Sequence, residues 1–288
     1  MIEAIFLLVL AGIFVTAGSI EDIKKREVEN WISFSLIIFA LGFRLFWSLF
    51  NGDSFVSFNN LFYQGVIGLI IFAIMGHLFY YGRVFAGGDA KLMIALGAIL
   101  PLSYSFKENV YGYALFLFLF LLVGSVYGLV WSFVLVLRNK KSFAKEFRKN
   151  IKKNMRMIII IYIISALLLI FGIYFRILFY FGVLFAIYPL VLIYARSVDE
   201  ACMIKKVSTN KLVEGDWLYK NVILRKGNKR VGLIKSTWEG LSNKEIELLR
   251  KKMKFVDLRE GIPFVPVFFF TLIIFAWMYF NDKIIILF

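Results

Sequence analysis

The feature that most limits what this chain can fold into is the return, again and again, of apolar runs about 20 residues long. Residues 2–20, 31–50, 61–81, 111–137 and 264–280 are such runs, and a shorter one covers 90–104, starting in effect at Gly87. Each full-length run can cross roughly 30 Å of hydrocarbon. The stretch 157–195 holds 39 nearly uninterrupted apolar residues, about two crossings at ~1.5 Å per residue, and so predicts a helical hairpin turning near Arg176. Composition agrees: 61% of the 288 residues are hydrophobic, against roughly 45–50% in a soluble domain. The expected fold class is an all-α polytopic membrane bundle of six to eight transmembrane helices with a small cytoplasmic α+β domain. The first run has no basic residues before it and no small-x-small cleavage site ahead of a polar segment, so it reads as a retained span.

Charge divides the rest. The formal charge is +15, but the Lys and Arg residues fall between the apolar runs, chiefly in 138–156 and 196–259, with isolated cases at Arg44 and Arg176. That is the distribution of loops held inside by their positive charge. No recognition motif accompanies it, and no nucleic-acid partner is expected. The organisation that follows is 1–137 as transmembrane helices one to five, 138–156 as a basic cytoplasmic linker, 157–195 as the hairpin, 196–262 as the soluble domain and 263–288 as the last transmembrane helix. Within the soluble domain, "DWLYKNVILRKGNKRVGLIKS" reads as two strands joined at Lys226-Gly227-Asn228-Lys229. "LSNKEIELLRKKM" reads as an amphipathic helix with Ser242 as its N-cap and Glu245 completing a capping box. If the basic segments 21–26, 138–156 and 196–259 share one side of the membrane, an even number of crossings must separate each pair. Eight spans, with the N-terminus outside, satisfy this.

Cys202 is the only cysteine and His77 the only histidine. They exclude an internal disulfide, a Cys-x-x-Cys zinc site and the His-Glu-x-x-His spacing of zinc proteases. No metal or cofactor is expected. His77 reads as a packed, hydrogen-bonded histidine, and Arg44 as a cation that snorkels or pairs within the bundle.

What remains are two carboxylates. Asp89 stands in "RVFAGGDAKLMIALGAIL" where an apolar run begins, and Asp22 in "GSIEDIKKREVENW" where another ends. Parity puts both at one membrane face. Asp89 could be a solvated helix end that suits the helix dipole. Yet Gly87 and Gly88 clear side chains from the approach of another backbone, and acids at membrane depth are functional candidates. Two apposed carboxylates cannot both ionise easily, so one keeps a proton while the other acts as base. The base can take a proton from water that attacks a peptide carbonyl, and the acid can donate to the carbonyl oxygen. Such a pair titrates as a unit. A proton-coupled transporter using the same aspartates as a relay is the alternative reading, although a relay would distribute acids over several depths.

"AGGDAKL" with "DIKKREVEN" resembles the archaeal preflagellin and type IV prepilin peptidases, membrane aspartic proteases with a Gly-x-Gly-Asp signature; "LVEGDWL", "EGLSNKEIELL" and "REGIPFVP" extend the likeness. The resemblance implies Asp22 and Asp89 as the catalytic pair, with Gly87, Gly88, Lys91 and Asn30 supporting the two motifs. It selects Asp22 over the neighbouring Glu21. It further implies a multi-pass protein of the cell membrane that removes short basic leader peptides from archaellin or type IV pilin-like precursors, its active site facing the cytoplasm. The bilayer and those leaders are the expected partners. Two positions depart from the pattern: the first glycine of the signature is Ala86, and Glu29 stands where a proline often precedes Asn30. The family usually has six spans, so the hairpin would be an elaboration. Lys91 reads as a snorkelling lysine or a neighbour of Asp89. Lys24, Lys25 and Arg26 read as determinants of topology, Glu27 and Glu29 as candidate contacts for a basic leader, and 138–156 as a segment able to lie on anionic headgroups.

Overall fold

The computed structural model describes residues 1–281 except Val56, Gly227 and Asn228, so the centre of the expected turn at 226–229 lies outside the described residues. Met1–Leu129 with Ile262–Phe288 form one compact unit and Val130–Gly261 a second. Six described helices are long and apolar enough to cross a membrane: α1 (Ile2–Lys25), α2 (Asn30–Phe50), α3 (Leu61–Tyr81), α5 (Phe106–Arg138), α6 (Lys140–Phe171) and α7 (Arg176–Cys202). Helix α4 (Gly87–Gly97) and helix α9 (Val265–Phe280) are shorter.

In the first unit, small and apolar residues three and four apart give α1 a buried stripe that runs through Leu8, Ala11, Val15 and Gly18 and ends on Asp22. The helix outlasts its apolar run because nothing in "EDIKK" breaks it and lysines suit a helix C-terminus. Asp22 therefore lies inside α1 and not beyond it. Helices α3 and α4 meet through glycines. A Cβ on Gly97 would stand 2.5 Å from that of Phe72, and one on Gly68 would stand 2.3 Å from the Gly97 carbonyl oxygen. Gly76 lies as close to Ile94, at 2.7 Å. Such small residues allow close backbone approach where no hydrophobic effect drives helix association.

The expected fourth span is half a span. Helix α4 has 11 residues, about 16 Å at ~1.5 Å per residue, and the chain continues through buried, irregular backbone from Ala98 to Leu102. Hydropathy alone cannot see this break, since "AILPL" is as apolar as the helix before it. Irregular backbone in an apolar bundle needs internal partners, and Arg44 supplies them. Its fully buried guanidinium donates to the carbonyls of Ala98 (2.8 Å), Ile99 (2.9 Å), Leu61 (3.0 Å) and Pro101. Gly65 leaves room, as a Cβ there would stand 2.5 Å from the Arg44 Cδ. Arg44 therefore does not snorkel; it pairs within the bundle, with backbone carbonyls, and so caps the end of α4. Around it Asn60, Ser48, Gln64 and Asn109 form a connected polar cluster.

In the second unit α6 and α7 make an antiparallel hairpin turning at 172–175, with Ser165 donating to the Gly182 carbonyl at 2.8 Å. The segment 138–156 is not a separate linker. From Lys140 to Phe171 the chain is one uninterrupted helix with no Gly or Pro inside it, so its basic half continues the helix of its apolar half. Phe143 packs on Tyr194, and Asn150 donates to Ser197 at 3.2 Å.

Two antiparallel ladders follow: β1 (Ile204–Ser208) with β4 (Phe255–Arg259), and β2 (Val222–Lys226) with β3 (Lys229–Ile234). The first ladder joins segments distant in sequence, and no hairpin signal announced it. Helix α8 (Asn243–Lys252) starts as its sequence requires, the Glu245 carboxylate accepting from the Ser242 N–H at 3.0 Å. The two motifs "LVEGDWL" and "EGLSNKEIELL" clasp each other: Gly215 N–H donates to the Leu241 carbonyl and Leu241 N–H to that of Asp216, both at 2.9 Å. Gly215 (φ 96°) and Gly240 (φ 82°) both need the left-handed region. A Cβ on Gly240 would stand 2.1 Å from the Gly215 carbonyl oxygen.

Candidate active site

The first unit gathers its unusual groups at one end. The C-terminus of α1, the N-termini of α2, α4 and α9, and the C-terminus of α3 meet there, and Asp22 comes within electrostatic reach of Asp89. Asp22 is 7% exposed. Its Oδ2 accepts from the Val265 N–H at 2.9 Å. Glu21 is turned off the buried stripe and accepts instead from the Glu29 N–H at 3.2 Å. Helical geometry thus separates the two neighbouring acids, since one residue is a rotation of about 100°.

Asp89 stands in the first turn of α4, half-buried, and accepts from the Ala86 N–H at 3.3 Å. This is half a capping box; the methyl of Ala86 cannot return the bond. Ala86 has φ −70° and ψ 163°, ordinary extended backbone, so nothing in its conformation asks for the glycine of the signature. The two glycines after it differ. A Cβ on Gly88 would lie 3.3 Å from that of Val28, in the loop between α1 and α2, whereas at Gly87 the nearest atom, on Tyr80, is 3.9 Å away. The approach that Gly88 permits is made by the chain's own Val28. Gly87 is the glycine with free space beside it.

Asn30 and Lys91 come together, Lys91 Nζ donating to Asn30 Oδ1 at 2.6 Å, which ties α2 to α4 beside Asp89. Glu29 is spent on its neighbours: it accepts from Lys25 at 2.6 Å and from Trp31 Nε1 at 2.9 Å. His77 bonds the Ala73 carbonyl at 2.7 Å, yet its ring lies on the outer face of α3 and is not packed inside.

Two neighbours of Asp22 escaped the reading of the sequence. Arg26, the left-handed C-cap of α1 (φ 62°), lies within electrostatic reach of Asp22, and so does Tyr127 of α5, whose hydroxyl is buried. Arg26 was hidden in a basic cluster that topology explains, and one tyrosine in an apolar helix carries no signal. The acids of this unit's described residues stand at helix ends or in loops, so no chain of carboxylates runs along the bundle as a relay would need.

The profile of the type IV leader peptidase family matches residues 8–133, a segment that contains both aspartates. Over that segment the chain is similar to the type IV leader peptidase family. It is similar to the preflagellin peptidase of Methanocaldococcus jannaschii, 34% identical over 95 residues, which is 32% of this chain and 37% of that one. The preflagellin peptidases of Methanococcus maripaludis (27% over 93 residues, 32% and 38%) and Methanococcus voltae (31% over 97 residues, 34% and 38%) are similar as well. The chain spans 37–38% of the length of these relatives. No solved structure matches it. Helices α6 to α9 and both ladders lie beyond the family match.

Proposed function

We propose that this protein is a membrane aspartic endopeptidase that removes short basic leader peptides from preflagellin (archaellin) precursors, and from type IV pilin-like precursors built the same way. The observation that carries the reading is that Asp22 and Asp89 lie within electrostatic reach of each other at one end of the first unit. One carboxylate takes a proton from water, and the resulting hydroxide attacks the scissile carbonyl carbon. The other, protonated, donates to the carbonyl oxygen as it gains charge. Collapse of the tetrahedral intermediate breaks the C–N bond, and a proton passes to the leaving amine.

The open side of Gly87 gives an extended peptide room to lie beside Asp89. A precursor with a basic leader keeps that leader on the side where positive charge accumulates and its apolar helix in the bilayer. Its scissile bond then stands at the depth of the two acids, so the active site faces the cytoplasm. The names of the similar proteins favour preflagellin as the first substrate to try.

The test is cleavage of a preflagellin in detergent by the full chain and by Asp22→Asn and Asp89→Asn. Each variant is expected to accumulate and fold normally while releasing no leader. Full activity in either one removes that aspartate from the mechanism.

A further inference from the structure

Helix α9 lies beyond the family match at 8–133, yet its first turn donates a hydrogen bond to the Asp22 carboxylate. The first amides of any helix lack intrahelical partners. In "GIPFVP" two prolines decide which amides remain, because Pro263 and Pro266 carry no N–H. The Val267 N–H turns back to the Phe264 carbonyl at 3.0 Å. That leaves the N–H groups of Phe264 and Val265, and the second of them donates to the Asp22 carboxylate at 2.9 Å. The arrangement is buried: Val265 is 1% exposed, and it packs against α1 at Gly18, one turn before Asp22.

We infer that the amino-terminal turn of α9 is a positioning element of the active site, in which the Val265 N–H fixes the orientation of the Asp22 carboxylate toward Asp89. The inference rests on the proposed function. Its consequence is that α9, and not only the segment with the two acid motifs, belongs to the catalytic unit. Val265 itself touches no substrate; it acts through Asp22. A carboxylate at the end of α1 has two side-chain torsions to settle. Amide donors on a rigid helix settle them before substrate arrives, which is where orientation contributes most to rate.

The experiment removes one hydrogen atom's worth of contact. In the full chain, the residue at position 265 is replaced by its α-hydroxy acid counterpart, so that an ester oxygen stands where the N–H was and the side chain is unchanged. The same replacement at Ile273, in the middle of α9, controls for the chemistry of the ester. Loss of a hydrogen bond to a charged group predicts a fall in kcat of about 10- to 100-fold at position 265, with KM within about two-fold and the melting temperature close to that of the Ile273 ester. The Ile273 ester keeps its kcat. An unchanged kcat at 265, a rise in KM alone, or equal losses at both positions would overturn the inference. Val265→Pro, which deletes the same N–H at a helix position where proline is tolerated, gives a genetically encoded second variant. Full activity in that folded variant overturns the inference as well. Asp22→Asn run alongside separates the failures: if it is inactive while the ester is fully active, only the anchor falls, and if it is active, the catalytic reading falls first.

Discussion

Helix α4 ends in two buried charged sites, and they are built in opposite ways. At its C-terminal end the Arg44 guanidinium is fully buried and donates to four carbonyls contributed by α3 and by the irregular stretch after α4. At its N-terminal end Asp89 is half-buried, has one long bond from Ala86, and lies within electrostatic reach of a second carboxylate. A cation saturated by oxygen acceptors is a structural part, because removing it orphans every acceptor. Two like charges that lack full compensation cost stability wherever they stand. Placing both kinds at the ends of one short helix makes the first a fixed point from which the second is held.

Substitutions separate the two ends. Asp22→Asn and Asp89→Asn are expected to reduce leader cleavage by about 1,000-fold or more, in line with loss of a general acid or base, while melting temperatures in detergent stay level or rise as like charge is removed. A variant that lost its fold together with its activity would place the acids with the structural charges. Arg44→Met should do the reverse. Four carbonyls lose their donor at about 1 kcal/mol or more each, and a fall of about 10 °C in melting temperature follows for a unit of this size. Scanning fluorimetry of the purified variant checks it, and a stability equal to the parent's would mean that the α4 terminus finds other partners.

How far this contrast is legible in sequence depends on what carries it. The spans are written in the apolar runs, and the acid end in Asp22, Asp89 and the glycines before the latter, since side chains of that chemistry are rare in apolar stretches. Asp22 could also be told from Glu21 by spacing, being the last member of the three-and-four stripe through Val15 and Gly18. The Arg44 end is not legible as a cap, because its partners are backbone carbonyls of "AILP", which have no identity in a sequence. The same holds for the α9 anchor. A backbone N–H leaves no letter, and only the proline pair in "GIPFVP" hints at which amides stay free. The β1–β4 ladder is invisible for another reason: its register is settled by the surrounding fold and not by a local turn.

Smaller effects come from the glycines at the acid end. Gly88→Ala puts a methyl 3.3 Å from the Val28 Cβ, so the loop or the start of α4 must give by a few tenths of an ångström. Active sites lose about 100-fold for a misplacement near 1 Å, and a loss of several-fold in kcat is the expectation here. Gly87→Ala meets nothing nearer than 3.9 Å and should leave the protein's stability alone. Its effect on cleavage reports instead whether peptide lies beside it, through a rise in KM. Equal kcat losses in the two variants would show that the contact with Val28 does not set the position of Asp89.

Ala86→Gly carries the smallest expected effect and the sharpest statement about the signature. If the first glycine of Gly-x-Gly-Asp served a left-handed backbone, an alanine there would be strained, and restoring glycine would help markedly. The observed φ of −70° and ψ of 163° belong to a region open to every residue. Glycine also serves better than alanine as an N-cap, by roughly 0.5–1 kcal/mol, while its added freedom in the unfolded chain costs about 0.4–1 kcal/mol. The two nearly cancel. Ala86→Gly should therefore keep kcat and KM within about two-fold and the melting temperature within a few degrees. A ten-fold gain in activity would mean that the methyl of Ala86 obstructs a peptide beside Asp89, and that this chain works with a site narrower than the signature allows.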